Sequence, residues 1–179
     1  MMQINIIHST KVVDGSNEPV SASDAKLHAS IDYSEFDSII PTYISAARLA
    51  VEKATGLALV SKTITSQATI HPEYPLILSY KPVTQVNYIR YLSEDECDLY
   101  GADAPVVRGA ENELIFVKKK GLYEIDYIAG MSSVPADLKL AILQMFAFIF
   151  TQRGDFNEGK LDVSLEAERI MRQNQRFLV

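Results

Sequence analysis

Three histidines (His8, His28 and His71), one cysteine (Cys97) and the acidic run Glu94-Asp95-Glu96-Cys97-Asp98 are the side chains here best suited to metal binding or a nucleophilic step. The histidines are scattered over an arm, a helix and a turn, and no pair has the close spacing of metal ligands on one element. The acidic run lacks the alternating oxygen ligands and sharp glycine turn of a calcium loop, so it reads as solvated. Cys97 stands among carboxylates, whose like charge disfavours its thiolate and makes it a poor nucleophile. No G-x-S-x-G elbow is present, and Gly101, Gly109 and Gly121 are isolated rather than grouped into a phosphate-cradling loop. Lys118-Lys119-Lys120 could touch a phosphate backbone, but without interleaved aromatics it reads as a hairpin tip kept soluble. Arg153-Gly154-Asp155 matches an adhesion tripeptide by coincidence, since no secretory leader accompanies it. We therefore expect no catalytic residue, no cofactor and no metal.

Composition narrows the classes further. At 179 residues and 47% apolar content the chain is large enough for a real core and needs no second full domain. A net charge of -6 and a pI near 5.1 oppose general adhesion to nucleic acid, which requires basic surface to displace counterions. One cysteine allows no intrachain disulfide, in keeping with synthesis in a reducing cytoplasm. The run Leu138 to Phe150 falls short of the roughly 20 residues that span a bilayer, so we expect no membrane association.

The elements that would position these residues follow from periodicity. Ile4 to Val20 reads as a loose hairpin or extended arm around the turn formers Asp14-Gly15-Ser16-Asn17. Ser21 or Ser23 can cap a short helix to about Ala29, with Asp24 at the positive end of its dipole. Asp32 and Glu35 form a capping box for a longer helix to Thr55, kinked or broken near Ile40 by Pro41 and stopped by Gly56. Its apolar residues recur at three- and four-residue steps, which puts Arg48, Glu52 and Lys53 largely on the wet side.

From Lys62 to Ile128 the pattern alternates, with strands expected at Lys62–Ile70, Pro75–Ser79 and Val83–Tyr91. Glu113–Val117, the turn Lys118–Gly121 and Tyr123–Gly130 form the clearest hairpin. Pro135 suits the first residue of a helix to about Gln152, apolar nearly all round and therefore in need of cover on most sides. Gly154 and Gly159 frame a mobile loop. A last helix from Leu161 to about Gln173 carries acids early and arginines late, and its thin apolar content points to docking on something else. The fold class is α+β: N-terminal helices and a long C-terminal apolar helix packed together, with a small antiparallel β block inserted between them. Residues 1–179 read as one domain, divided into an arm (1–20), helices (21–60), a β-rich insertion (61–130), a core helix (134–153) and a C-terminal helix or arm (160–179).

The order of these pieces resembles the head-tail connector, or adaptor, proteins of long-tailed bacteriophages, prophages and gene transfer agents. The resemblance is carried by Pro19-Val20-Ser21-Ala22-Ser23-Asp24-Ala25-Lys26-Leu27-His28 and by the Asp32 to Ile44 helix start. Ala46-Ala47-Arg48 with Val51-Glu52 and Thr55-Gly56, and Pro82-Val83 with Val86 and Ile89, continue it. Tyr127-Ile128-Ala129-Gly130, Val134-Pro135-Ala136-Asp137-Leu138-Lys139 and the apolar helix ending at Arg153 complete it, over roughly residues 19 to 153.

The resemblance implies a structural virion protein in the neck, made in the host cytoplasm. It implies a ring of about twelve copies with closed cyclic symmetry. The ring's partners would be the portal protein and a stopper or tail-completion protein, and DNA would pass through without sequence-specific contact. An acidic wall suits that passage, because it lets DNA slide. The candidate interface residues are Arg48, Glu52, Phe146, Phe150, Arg153, Leu165, Ile170, Arg172 and Phe177. Removing the residues after Gly159 is expected to leave a soluble folded monomer that cannot attach tails. The alternatives are a DNA-binding packaging or regulatory protein, which would show a basic helix face, and a small enzyme without a recognisable motif.

Overall fold

A computed structural model describes residues 5–15, 17–92, 106–108, 113–152 and 164–175. Within them the chain is mixed α+β, with four helices and seven strands in two antiparallel sheets. It resolves into two compact units, one of residues 1–15 and 60–132, the other of 16–59 and 133–179. The acidic run, Cys97, Gly101, Gly109, the Arg153-Gly154-Asp155 tripeptide and the Gly154–Gly159 loop lie outside the described residues.

The first unit holds the strands. β1 (Ile6–Asp14), β2 (Lys62–Ile70), β7 (Gly121–Ala129) and β4 (Val83–Leu92) form one sheet in the order β1-β2-β7-β4. β3 (Leu76–Ile77), β6 (Leu114–Phe116) and β5 (Val106–Arg108) form a second, in the order β3-β6-β5. Strict alternation along β2 and β7 sends Ile64, Ala68, Ile70, Tyr123, Ile125 and Tyr127 inward, and Leu76, Leu78, Ile115 and Val117 are buried beside the second sheet.

Two expectations change here. The N-terminal residues form one long strand paired with β2, rather than a hairpin or loose arm, because Ile6 to Asp14 find eight β2 residues to pair with, His8 being passed over at a register shift between Ile7 and Ser9. The hairpin expected across Lys118–Gly121 is absent from the ladders. β6 pairs with β3 and β5, while β7 lies between β2 and β4, so the lysine turn passes from one sheet to the other. β7 alternates large core residues over nine positions and gains two full-length neighbours in the centre of the larger sheet; three-residue β6 could cover only a third of it.

The second unit holds the helices. α1 (Ala22–His28) starts as expected, with Ser21 Oγ accepting the Asp24 amide at 3.1 Å. α2 (Ile40–Thr55) starts seven residues later than the Asp32 capping box would place it, at the break expected near Ile40, with Pro41 in its first turn. Residues 34–39 form turns instead, because proline cannot continue a helix from upstream without losing an amide bond. Gly56 closes α2 at φ 72° as expected. α3 (Ala136–Thr151) buries Leu138, Ala141, Ile142, Met145, Phe146 and Phe150, a single stripe at three- and four-residue steps that packs on α2. Its other side carries half-buried Leu143, Ala147, Phe148 and Ile149. α4 (Leu165–Asn174) is a short amphipathic helix that seats Ala167, Ile170 and Met171 in the unit's core.

Candidate assembly interface

The α2 stripe contains the first departure that bears on function. Arg48 and Glu52, expected on the wet side, are 3% and 7% exposed. They occupy the shoulder of the core stripe, and their charges are matched inside the unit. Arg48 Nε donates to Glu18 Oε2 at 2.9 Å and Nη1 donates to Glu52 Oε2 at 2.9 Å. Ser45 Oγ donates to Glu18 Oε1 at 2.6 Å, and the Leu59 amide donates to Glu52 Oε1 at 2.8 Å. The network thus ties the chain entering α1, the middle of α2 and the chain leaving α2 to one guanidinium. A bidentate carboxylate can hold both an arginine and a backbone amide, and burial without those partners would cost far more than the network gains. Sequence reading missed this; the signal was the spacing of Ser45, Arg48 and Glu52 along one side of the helix, next to Ala47 and Val51.

The aromatic candidates come together. Phe150 stacks on Phe146 with centroids 5.7 Å apart, and meets the rings of Phe36 at 5.6 Å and Tyr43 at 5.8 Å edge-on. Tyr33 continues the chain of rings from Phe36 at 5.5 Å and is exposed. Such edge and offset contacts add to the burial they accompany. Phe146 and Phe150 are themselves buried, so they shape this surface from beneath.

α4 presents the remaining described candidates. Ile170 faces the core, whereas Leu165 is 84% exposed and Arg172 reaches back to Glu168 at 2.6 Å on the outer face. The helix is held by Asn174, whose side-chain amide donates to Asp137 Oδ2 at 2.9 Å at the start of α3. A shallow groove lined by Gln144, Ala147, Phe148, Thr151, Ser164 and Leu165 runs between the end of α3 and the start of α4. Arg153 and Phe177 lie outside the described residues.

In the strand unit, Asp126 accepts from Thr65 at 2.7 Å and Asn87 at 2.6 Å. Glu124 accepts from Gln67 at 3.2 Å and Tyr88 at 3.1 Å. Partial burial, reinforced by the Glu124 carboxylate, raises the Tyr88 phenol. Burial pushes the Tyr127 phenol much higher, against hydrogen bonds from the backbone of Tyr80 and Ser79. Among the described residues no group of three or more His, Cys, Asp or Glu is placed to hold a metal, and no helix is long and apolar enough to cross a membrane.

The family model of the head completion protein matches residues 19–160. The chain belongs to the head completion protein family. It is accordingly a structural protein of the joint between head and tail in phage-like particles. Three solved structures resemble this head completion protein in fold. A chain in the neck of an empty gene transfer agent particle, computed with C6 symmetry, is 18% identical with a TM-score of 0.70 over 94% of this chain and 97% of that one. One from the virion of a native gene transfer agent particle is 19% identical with a TM-score of 0.70, covering 94% and 96%. One from the neck of a native particle, computed with C12 symmetry, is 19% identical with a TM-score of 0.64, covering 94% and 97%. No curated protein sequence matches the chain.

Proposed function

We propose that this head completion protein works in the virion neck as a ring of about twelve copies with cyclic symmetry. One side of the ring meets the portal protein and the other a stopper or tail-completion protein, while the genome passes through the centre. The two compact units act together as one connector domain, made in the host cytoplasm before assembly, and the role is structural rather than enzymatic. The observation that carries this reading is the family match over residues 19–160, together with the neck origin of the structures with similar folds.

Within that role, the outer face of α4 bears a partner contact. Leu165 is a large apolar side chain in solvent at the start of a helix anchored from within, and Arg172 adds a charge two turns further along the same face. Arginine beside an exposed apolar anchor is the composition of an interface core. Phe146, Phe150 and Ile170 support that surface from inside, and the Arg48–Glu52 network fixes the helix they pack against. In particles lacking the wild-type gene, the double substitution Leu165→Asp with Arg172→Glu is expected to leave the monomer's melting temperature within about 2 °C, since both side chains are exposed. Tail attachment should fall at least tenfold. Normal attachment by a folded double variant would remove α4 from the interface.

A further inference from the structure

The four-stranded sheet ends in two edges, β1 and β4, and neither has a ladder partner on its outer side among the described residues. β1 is clamped at both ends. At its start the Asn5 side chain accepts the His71 amide at 2.8 Å and donates to the Tyr74 carbonyl at 3.1 Å. At its end Lys62, 2% exposed, donates to Asp14 at 2.6 Å, and the Gly15 amide donates to the Ser61 carbonyl at 2.7 Å. A Cβ on Gly15 would stand 2.7 Å from that same carbonyl oxygen, so the approach requires glycine. Yet the strand held this firmly, regular from Ser9 to Asp14 after one register shift between Ile7 and Ser9, is exposed along almost its whole length, with Ile6, Ile7 and Val13 in solvent. Soluble proteins ordinarily shorten or break such an edge unless another strand pairs with it.

The direction of the strands says which other strand fits. All three ladders of the sheet are antiparallel, so with four strands β4 runs opposite to β1. Copies placed side by side in the same sense, as cyclic symmetry requires, bring β4 of one against β1 of the next in antiparallel orientation, the more stable ladder. A two-fold dimer through β1 alone would leave β4 open and could not repeat. We propose that neighbouring copies in the ring join their sheets edge to edge, β4 to β1; this rests on the ring reading given above. Four strands at about 4.8 Å occupy about 19 Å per copy, so about twelve copies give a sheet of about 37 Å radius, the scale of a ring around a DNA duplex.

The same geometry keeps the free protein from aggregating. β4 shifts register twice, between Val83 and Gln85 and between Val86 and Tyr88, which leaves Tyr88–Leu92 as its regular stretch. Even a full nine-residue edge, about 30 Å long and about 10 Å thick, presents only about 300 Å² per partner. Stable pairs bury about 800 Å² per partner, so the edge contact forms when the portal holds the copies together.

Arg90 on β4 shares one face of the sheet with Ser9, Lys11 and Val13 on β1. In a Cys97→Ser background, Arg90→Cys is combined in turn with Ser9→Cys, Lys11→Cys and Val13→Cys, and rings assembled with the portal protein are oxidised. One of the three pairs should give a ladder of linked chains, and the free protein none. Intact rings with no ladder from any pair would overturn the edge contact alone, whereas no ring from the wild type would overturn the ring reading with it. Proline offers a second arm, because neighbouring amides on a strand point to opposite sides. Of Thr10→Pro and Lys11→Pro, one breaks the β1–β2 ladder and the other, identified by an unchanged melting temperature, blocks only the outer edge. That folded variant should fail to form rings; rings at wild-type yield would contradict the proposal.

Discussion

Arg48 bears more on this molecule's stability than any charged residue on its surface. Removing its guanidinium takes away the cation that Glu52 and Glu18 share, a change that typically costs about 3–5 kcal/mol in a buried pair. Urea unfolding of Arg48→Ala should show that loss, while Arg48→Met combined with Glu52→Gln should recover part of it. A single-variant loss below about 1 kcal/mol would mean that water reaches the network. Tyr127 predicts a pH dependence. Its phenol is raised in the folded state above the value of 10.0 expected when unfolded, so below pH 10 both states hold the proton and stability is unaffected. Above it the unfolded chain releases its proton first, and stability falls as pH rises. Tyr127→Phe should therefore lose less stability than the wild type between pH 9 and 11, as read from thermal midpoints; parallel curves would show that the phenol is wet. The charges of Arg48 and Glu52 were plain in the sequence, but their burial was not. A helix wheel separates core from solvent by apolar pattern and cannot see Glu18, which arrives from thirty residues away.

Boundaries set by local chemistry were readable, and pairings set by distant chain were not. Ser21 caps α1, Gly56 ends α2 and Pro135 precedes α3, each through a backbone requirement that one or two residues satisfy. The Asp32–Glu35 box is an equally local signal, but Pro41 excluded it, since the first uninterrupted helical turn could form only from Ile40 onward. The β6–β7 hairpin failed for the opposite reason: strand partners are chosen by whole-sheet burial, to which a three-residue turn is indifferent. α4 shows the consequence for truncation. Thin apolar content suggested a docking arm whose removal would leave the monomer folded though unable to attach tails, yet Ala167, Ile170 and Met171 complete a core and Asn174 binds α3. Deleting the residues after Gly159 should lower the melting temperature by about 10 °C or more, because losing each large buried side chain costs about 2–5 kcal/mol. An unchanged melting curve would make α4 an independent arm after all. The surface substitutions at Leu165 and Arg172 are therefore the cleaner probe of what α4 touches.

The molecule as a whole offers two kinds of surface, a helical unit with an anchored outer helix and a four-stranded sheet with β1 and β4 at its edges. An acidic chain of net charge -6 is suited to surround DNA without holding it. Duplex DNA should not shift in a gel at low salt; a shift that weakens steeply with added salt would favour a packaging or regulatory protein. The order of helix, strand block and helix was enough to indicate the family, because that order reflects how the chain must be assembled. The role of β1 lay beyond reach, since an edge strand in isolation looks like any short alternating segment. Native mass spectrometry of the purified chain, alone and mixed with the portal protein encoded beside it, tests the central claim most directly. We predict a monomer alone and a closed complex of about twelve copies on the portal; a chain that stays monomeric in the presence of the portal would contradict the account.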